Sequence, residues 1–407
     1  MRLPGIGGWL RRIRAQERVV ALSISTAVLM TGQGVVGPVL PVYARRFGVS
    51  LAAVGVTVAA FGLARLLLNI PLGSLSDRWG RRFLLVGGPL VVAVSMVGTG
   101  LAGGILSLTI WRFVAGAGSS MYMTGALIYL TDISSLSNRG RMIGFNQGAL
   151  LLGQSIGPGM GGVLAEQFGI RAPFFFIAGA ASIACVYGFL RLPETLPSGE
   201  RDVAGNRVTN RGALSRLLKS PAFLAVAAIN FAVFFTRGST RSTLLPLAGT
   251  DLFGLGLGEV GLLLTGMAVV NLVFLPPAAA AADRFGRTQV ITPSMVLTAG
   301  ALVVLAVAGS VAVFTTGALI LALATSVAGP APAALAADTV PAEVRGVSLG
   351  VFRTVGDFGL LLGPPLLGFA ADVGGFGLAF GLNAAIVGLI TVGFFVVSRR
   401  IGESGIA

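Results

Sequence analysis

The chain has 407 residues, of which 55% are hydrophobic and only 11% are charged, and its mean hydropathy is +0.89. A soluble domain carries roughly 25% charged residues, so this chain cannot cover a surface that faces water, and a soluble enzyme is excluded. The sequence also contains no histidine, which excludes histidine-based metal and haem sites, and we expect no cofactor.

Long apolar segments separated by short polar breaks fall into two sets of six. A helix that crosses a bilayer needs about 20 apolar residues. The first set comprises residues 19–43, 51–76, 83–102, 106–131, 142–168 and 172–190, and the second comprises 222–248, 256–282, 289–309, 311–337, 347–371 and 376–397. Between them, the arginine-rich residues 193–220 are typical of a cytoplasmic linker. The pattern predicts an all-α membrane protein with twelve transmembrane helices in two six-helix bundles, residues 1–192 and 221–407.

Basic residues are distributed unevenly among the loops. If the amino terminus lies inside, the cytoplasmic segments hold 21 of the 29 cations, and the outer loops hold three, Arg45, Arg46 and Arg171. This asymmetry follows the positive-inside rule. We therefore expect a cell-membrane protein with both termini in the cytoplasm, and we attribute the net charge of +14 to orientation rather than to nucleic-acid binding.

An internal repeat relates the two sets of segments. Residues 77–81, DRWGR, return as residues 283–287, DRFGR, a shift of 206 positions. The same shift maps Asp132 onto Asp338 and residues 157–158 onto 363–364. One offset over about a hundred residues predicts two pseudo-symmetric halves with the same membrane orientation, which is a known architecture of transporters.

Residues 73–82, GSLSDRWGRR, resemble the signature loop of the major facilitator superfamily at every fixed position. The second copy departs at Ala279, where the family has glycine. Residues 153–162, GQSIGPGMGG, resemble the glycine-proline motif of the family's drug:proton antiporter branch, and Arg112 resembles that branch's fourth-helix arginine. The resemblance extends from about Val19 to Val397, and it implies a transporter, not an enzyme, that works by alternating access.

In the family the signature loop closes the cytoplasmic gate. The resemblance implies ion pairs of Arg81 with Asp132 and of Arg287 with Asp338; charge that only fixes orientation is the alternative interpretation. The gate candidates are Gly73, Asp77, Arg78, Gly80, Arg81, Asp132, Asp283, Arg287 and Asp338. The helix-packing motif is expected to kink and thin span five, either for sliding of the halves or for packing alone; it consists of Gly153, Gly157, Pro158, Gly161 and Gly162.

Charged side chains inside hydrocarbon are costly and usually face a cavity or a partner. Six are stranded within the predicted spans, away from the acids near the span ends: Arg65, Arg112, Arg237, Arg241, Arg353 and Asp357. Asp357 is the only carboxylate at mid-depth, one helical turn from Arg353. We expect Asp357 to couple transport to protons, with Arg353 and Arg112 as modulators; a permanently ionised pair of Asp357 with Arg353 is the alternative.

Helical spacing places Arg237 and Arg241 on one face of span seven with Asn230 and Phe234. We expect these four residues to line a substrate cavity together with Gln33, Arg65, Gln147 and Gln154. Hydrogen bonds between helices are the alternative role of the two glutamines in span five. The first span has only Gln33 where many drug:proton antiporters have an acid.

These features favour a secondary active transporter that exports small amphipathic compounds in exchange for protons. The alternative is a carrier of anionic, zwitterionic or lipid-like substrates, working as a uniporter or an exchanger. We expect a small-molecule substrate, protons and membrane lipids as partners, no nucleic acid, and a monomeric chain. A membrane-embedded enzyme would need clustered carboxylates to bind magnesium, whereas the acids at the predicted inner face occur singly, each near an arginine.

Overall fold

The computed structural model describes residues 6–135, 138–195, 217, 219–328, 330–339 and 345–403, and in this part of the chain all regular structure is helical. The first half contributes α1 (Ile6–Arg45), α2 (Leu51–Trp79), α3 (Arg81–Gly100), α4 (Ile105–Ile133), α5 (Arg139–Phe168) and α6 (Ala172–Arg191). The second half contributes α7 (Pro221–Asp251), α8 (Leu257–Phe285), α9 (Arg287–Ala306), α10 (Val311–Ala328 and Pro330–Asp338), α11 (residues 345–373) and α12 (residues 376–403).

The helix lengths confirm the predicted fold class. Among the described residues, ten helices are long and apolar enough to cross a membrane. One of the ten, Ser348–Arg399, is 52 residues long, and its backbone leaves helical geometry at Gly374 and Gly375, so it comprises α11 and α12. The 30 residues of α5 add a helix about 45 Å long at 1.5 Å per residue. The described chain therefore contains the twelve long helices that the apolar pattern predicts.

The internal repeat is visible in how two of these helices end. Gly80 terminates α2 with φ +95°, and Gly286 terminates α8 with φ +92°. A positive φ is readily adopted only by glycine, so the chain turns sharply at both positions and re-enters a helix at once. In each half we call the helix ends near Gly80 or Gly286 the signature end and the opposite helix ends the distal end.

The Cα positions group into two compact units. The first comprises Met1–Val36 and Leu63–Arg207, and the second comprises Gly37–Gly62 and Val208–Ala407. The second unit thus includes the distal parts of α1 and α2, which the sequence-based division assigns to the first bundle. The close approach of α2 to α11 accounts for this grouping: a methyl group added to Gly368 would lie 2.5 Å from the carbonyl oxygen of Leu51. The linker beyond Thr195 lies mostly outside the described residues.

Each unit has its own apolar interior and an apolar exterior. Leu22, Leu85 and Tyr129 are buried in the first unit, and Phe223 and Phe314 are buried in the second. Large apolar side chains also cover the outside of the helices, and the most exposed include Leu106, Phe168, Leu190, Val307 and Leu389. Extended apolar exteriors are stable against lipid rather than water.

Candidate functional site

The middle of α7 is not an ordinary α-helix. Residues Arg237–Leu244 form a π-helix of eight residues between the α-helical segments Pro221–Thr236 and Leu245–Asp251. Such wide turns are rare and occur frequently at functional sites. The Arg237 side chain is exposed and that of Arg241 is partly exposed, whereas most of the other residues of the turn are buried. The wide turn therefore carries one exposed and one partly exposed arginine near the middle of α7.

Asn230, one of the predicted cavity residues of α7, is held by a neighbouring helix. Its side chain is 5% exposed, and its Nδ2 donates a hydrogen bond of 2.7 Å to the carbonyl oxygen of Phe352 in α11. Phe234, by contrast, is partly exposed like Arg241. Helical spacing groups these residues on one face, but packing of α11 covers the end of that face that carries Asn230.

Asp357 lies in α11 between two glycines that contact α7. A methyl group added to Gly356 would lie 2.6 Å from Nδ2 of Asn230, and one added to Gly359 would lie 2.5 Å from the carbonyl oxygen of Phe231. This close packing fixes the rotation of α11 at Asp357, whose side chain is partly buried, while that of Arg353 one turn earlier is exposed. The ion pair of Arg353 with Asp357 and the proton-carrying role of Asp357 stay predictions.

Two of the predicted cavity glutamines contact other helices of the first unit. Gln33 Nε2 donates to the hydroxyl of Ser119 in α4 at 2.6 Å, and Gln154 Nε2 lies 3.8 Å from the sulfur of Met30 in α1. Gln147 is exposed. Because Gln33 and Gln154 are only partly buried, each can join helices and still offer polar atoms to a ligand.

The two intramembrane arginines of the first unit differ in exposure. Arg112 in α4 is 8% exposed, whereas Arg65 in α2 is only partly buried. A partly buried arginine can still be reached by a ligand, whereas an enclosed one cannot. Arg65 is therefore the better candidate for contact with a substrate.

The signature end of the first unit is tied by an ion pair between α3 and α4. Arg81 Nε lies 2.9 Å from Asp132 Oδ2, and the hydroxyl of Thr195 donates to the same carboxylate oxygen at 2.9 Å. The second unit contains the equivalent ion pair of Arg287 with Asp338. The ion pairs that the family resemblance implies are thus present; their role as a gate stays a prediction.

Glu194, which the sequence analysis did not single out, completes this cluster. Its carboxylate accepts the backbone N–H groups of Arg81 at 2.9 Å and Arg82 at 3.0 Å. The first N–H groups of a helix have no partner within the helix, and their positive end favours an anion. Glu194 therefore caps α3 and fixes the segment that follows α6 against the signature loop.

The other gate candidates differ in how far they are enclosed. Arg78 and Asp283 are exposed, Gly80 supplies the turn between α2 and α3, and a methyl group added to Gly73 would meet no atom within 4 Å. The side chain of Asp77 lies outside the described part of the chain. No group of three or more His, Cys, Asp or Glu side chains that could hold a metal ion occurs among the described residues.

The glycine-proline motif of α5 packs against α1 within the first unit. A methyl group added to Gly157 would lie 2.5 Å from the carbonyl oxygen of Thr31, and one added to Gly153 or Gly161 would overlap the α1 backbone. Pro158 and Gly162 are buried beside them. Small residues at this spacing allow two helix backbones to touch.

Two buried networks of neutral polar groups were not predicted. In the first unit, the hydroxyls of Thr26 and Tyr122 are 2.8 Å apart, and Thr26 donates to Asn146 Oδ1 at 2.8 Å. In the second unit, Asn383 of α12 bonds to two threonines of α7, as described below. Each asparagine interrupts an apolar span in the sequence, and that interruption is the signal that predicts a buried polar network.

Repeated halves of long apolar helices, matching ion pairs at the helix ends and arginines within the spans define a multi-pass membrane transporter. The chain belongs to the Major Facilitator Superfamily, whose sequence profile matches residues 22–256 and 231–405.

Individual relatives agree with this assignment. The chain is 24% identical over 381 residues to an uncharacterized MFS-type transporter of Methanocaldococcus jannaschii, which covers 93% of this chain and 98% of that protein. It is 28% identical over 266 residues to multidrug resistance protein 2 of Bacillus subtilis, covering 65% of this chain and 66% of that protein. A solved structure, of a bacterial homolog of the human lysosomal transporter Spinster, has a TM-score of 0.82 at 16% identity, with 97% and 99% of the two chains covered.

Proposed function

We propose that this transporter exports small amphipathic compounds in exchange for protons. Similarity to multidrug resistance protein 2 of B. subtilis supports efflux as the direction. The observation that carries the proposal is the placement of Asp357, a partly buried carboxylate in α11 whose glycine neighbours contact α7. The exposed Arg237 lies on α7 itself.

Asp357 has the position that proton coupling requires. It lies twelve residues beyond Arg345, about 18 Å along the helix and so near mid-depth. An ionised carboxylate at that depth is costly, and binding a proton removes its charge. Access of water from one side or the other therefore shifts the balance between the ionised and the protonated form. During alternating access, Asp357 would take up a proton on one side of the membrane and release it on the other. Arg353 and Arg112 would adjust the affinity of Asp357 for the proton.

The arginines of the spans bear on the substrate. The predicted spans contain five arginines but only one aspartate. An exposed guanidinium at depth is stabilised by water or by an acceptor group. We therefore place anionic, zwitterionic and neutral hydrogen-bonding amphipaths ahead of simple cations, with Arg237 and Arg241 contacting their acceptor groups. The same excess of arginine favours the second candidate, a carrier of anionic, zwitterionic or lipid-like compounds that uses no protons.

The ion pairs at the signature end would form the cytoplasmic gate. Arg81, Asp132 and Thr195 tie α3, α4 and the segment after α6, and Arg287 with Asp338 repeats the tie in the other half. In this proposal the signature end and both termini face the cytoplasm, and a monomer in the lipid of the cell membrane carries out transport.

Three xanthene dyes that share one ring system test the proposal: anionic fluorescein, zwitterionic rhodamine B and cationic rhodamine 6G. The purified protein is reconstituted into liposomes, and the flux of each dye is measured with and without a pH gradient. We expect saturable flux of fluorescein or rhodamine B that a proton gradient accelerates. Dye flux that is the same with and without the pH gradient would favour the carrier that uses no protons. Faster flux of rhodamine 6G than of fluorescein and rhodamine B would contradict the assigned role of the arginines.

A further inference from the structure

A buried side-chain amide joins α12 to the π-helical turn of α7. The hydroxyl of Thr236 donates to Asn383 Oδ1 at 3.2 Å, and Asn383 Nδ2 donates to the hydroxyl of Thr240 at 2.8 Å. Asn383 and Thr240 are 0% exposed, and Thr236 is 2% exposed. We call this arrangement of Asn383, Thr236 and Thr240 the amide clamp.

The clamp brackets the start of the wide turn. Thr236 is the last residue of the preceding α-helical segment, and Thr240 lies inside the π-helix. A second hydroxyl supports the same geometry, since Thr243 donates to the carbonyl oxygen of Gly238, five residues earlier, at 2.9 Å. Polar groups in a dry interior are stable only when bonded, so this network favours the wide turn over an ordinary α-helical path.

Two neighbouring helices leave one face of the turn open. On the α11 side, a methyl group added to Gly238 would lie 3.1 Å from Leu360, and on the α12 side the clamp holds Thr236 and Thr240. Arg237 lies between the two clamped threonines in sequence and is exposed. The rotation of α7 at the clamp therefore sets the direction in which Arg237 leaves the helix.

We propose that Asn383 and Thr240 are positioning residues for the substrate site. This inference rests on the proposed contact of Arg237 and Arg241 with the substrate. By holding α7 in the wide turn, the clamp presents both guanidinium groups to the acceptor groups of one amphipathic substrate. Neither clamp residue needs to touch that substrate. Loss of the clamp lets α7 relax towards an α-helical path, which rotates the arginines away.

The experiment compares dye binding by purified variants. Arg237→Ala tests the substrate contact itself, and Asn383→Ala and Thr240→Val remove the two sides of the clamp. Thr240→Ser keeps the accepting hydroxyl, and Asn146→Ala is the matched control, since it deletes a buried amide bonded to hydroxyls in the first unit. The readout is the ratio of fluorescein to rhodamine 6G affinity, which a general loss of folded protein leaves unchanged.

We expect Asn383→Ala and Thr240→Val to lower this ratio at least fivefold, as Arg237→Ala does, while Thr240→Ser and Asn146→Ala retain it. Adding Asn383→Ala to the double variant Arg237→Ala/Arg241→Ala should lower the ratio no further, because neither arginine is then left for the clamp to position. If Arg237→Ala acts and the clamp variants do not, the positioning role is overturned and the proposed substrate contact stands. If Arg237→Ala/Arg241→Ala has no effect, the proposed substrate contact fails, and the clamp has no arginine to position.

A second, independent observation concerns the distal end of the second unit. The carboxylate of Asp372, near the end of α11, accepts the backbone N–H of Leu51 at 2.8 Å and of Ala52 at 2.9 Å. These are the first two residues of α2, whose N–H groups have no partner within their own helix. An acid of α11 thus caps α2 across 321 positions of sequence.

Close backbone contact accompanies the cap. Methyl groups added to Gly55 or Gly368 would overlap the opposing backbone of α11 or α2, so the two helices touch along this stretch. Arg45 Nε also lies 3.7 Å from Asp251 Oδ2, linking the ends of α1 and α7. These contacts hold the distal parts of helices from both halves of the sequence together.

We infer that Asp372 is a latch that closes the distal gate. Alternating access opens the distal end in each cycle, so the two hydrogen bonds of Asp372 must form in one state and break in the other. The cap gives the closed state a charged contact that the open state lacks. Asp372 would then set the fraction of molecules that are closed at this end.

A cysteine beneath the latch tests this inference. The only cysteine of the chain, Cys185, is replaced by serine, and Thr57→Cys, a fully buried position of α2, is the reporter. A membrane-impermeant maleimide is applied to intact cells. The matched control is Glu259→Ala, which removes an acid that caps α8 from within the same helix.

We expect Asp372→Ala to raise the labelling rate several-fold and Asp372→Asn to raise it less, since asparagine keeps one acceptor oxygen, while Glu259→Ala leaves it unchanged. Labelling of both Asp372 variants at the starting rate would overturn the latch, and an equal rise with Glu259→Ala would show general loosening of the helix ends instead.

Discussion

Asp357 is partly buried, lies near the predicted middle of its span, and is flanked by Gly356 and Gly359, which pack closely against α7. We predict that Asp357→Asn abolishes the acceleration of dye flux by a pH gradient, because the amide cannot carry a proton between the two sides. Exchange of labelled for unlabelled dye should continue, since it needs the cavity but no proton movement. Flux in liposomes with and without the gradient measures both activities.

The matched control for this prediction is Glu166→Gln, which removes an exposed carboxylate at the distal end of α5. It should keep the response to the gradient. If Asp357→Asn responds to the gradient as the unaltered protein does, the proton is carried elsewhere and Asp357 is a structural acid.

Close contacts between helices depend on glycines, which have no side chain to keep the two backbones apart. Gly157 and Gly144 are both in α5, but a methyl group at Gly157 would lie 2.5 Å from an α1 carbonyl oxygen, while one at Gly144 would meet nothing within 4 Å. We predict that Gly157→Ala destabilises the protein by about 1–3 kcal/mol through overpacking. Gly144→Ala should stabilise it by up to about 1 kcal/mol through helix propensity.

The sole cysteine provides the assay for this comparison. Cys185 is partly buried, and a thiol-reactive dye reports the temperature at which it becomes accessible. Equal unfolding temperatures for Gly157→Ala and Gly144→Ala would contradict the packing role of the motif.

The ion pair at the signature end ties helices rather than single groups. One oxygen of Asp132 holds both Arg81 and Thr195, so Asp132→Asn weakens two links at once. We predict a shift of about 1–3 kcal/mol towards conformers that are open at this end, a typical coupling free energy. In a Cys185→Ser background, spin labels at Gly103→Cys and Gly309→Cys, both in distal loops, would report the shift as shorter distances at the distal end. An unchanged distance distribution would leave the ion pair without a gating role.

The sequence predicts helices far better than their junctions. Apolar stretches and the glycine stops give the twelve helices, and the repeat points to the ion pairs of Arg81 and Arg287. A polar run marks residues 236–243 of α7, but hydropathy alone does not distinguish the hydrogen bonding of a π-helix from that of an α-helix. The roles of Glu194, Asn383 and Asp372 depend on partners at least 100 positions away, and only the folded chain identifies these.

The two halves of the sequence share glycine contacts between equivalent helices, but they differ in the charged residues of their spans. Glycines of α5 contact α1 and glycines of α11 contact α7, as the shift of 206 positions requires. By the same shift, Leu151 is the equivalent of Asp357, and Thr31 is the equivalent of Arg237. The proposed proton carrier and substrate arginines of α7 therefore have no charged counterpart in the first half. We infer that the repeat supplies the moving scaffold, while the second half carries most of the coupling chemistry.

The uneven distribution of basic residues predicts the orientation of the chain in the membrane. The loops at the predicted cytoplasmic side hold 21 cations against three on the other side, a bias that strongly favours one topology. In a Cys185→Ser background, we predict that an impermeant maleimide added to intact cells labels Gly309→Cys, in the loop before α10. Ser135→Cys, in the loop after α4, should react only once the cells are permeabilised, because it lies at the signature end. The reverse labelling pattern would place the signature loop outside the cell. That result would contradict the proposal that this loop forms a cytoplasmic gate.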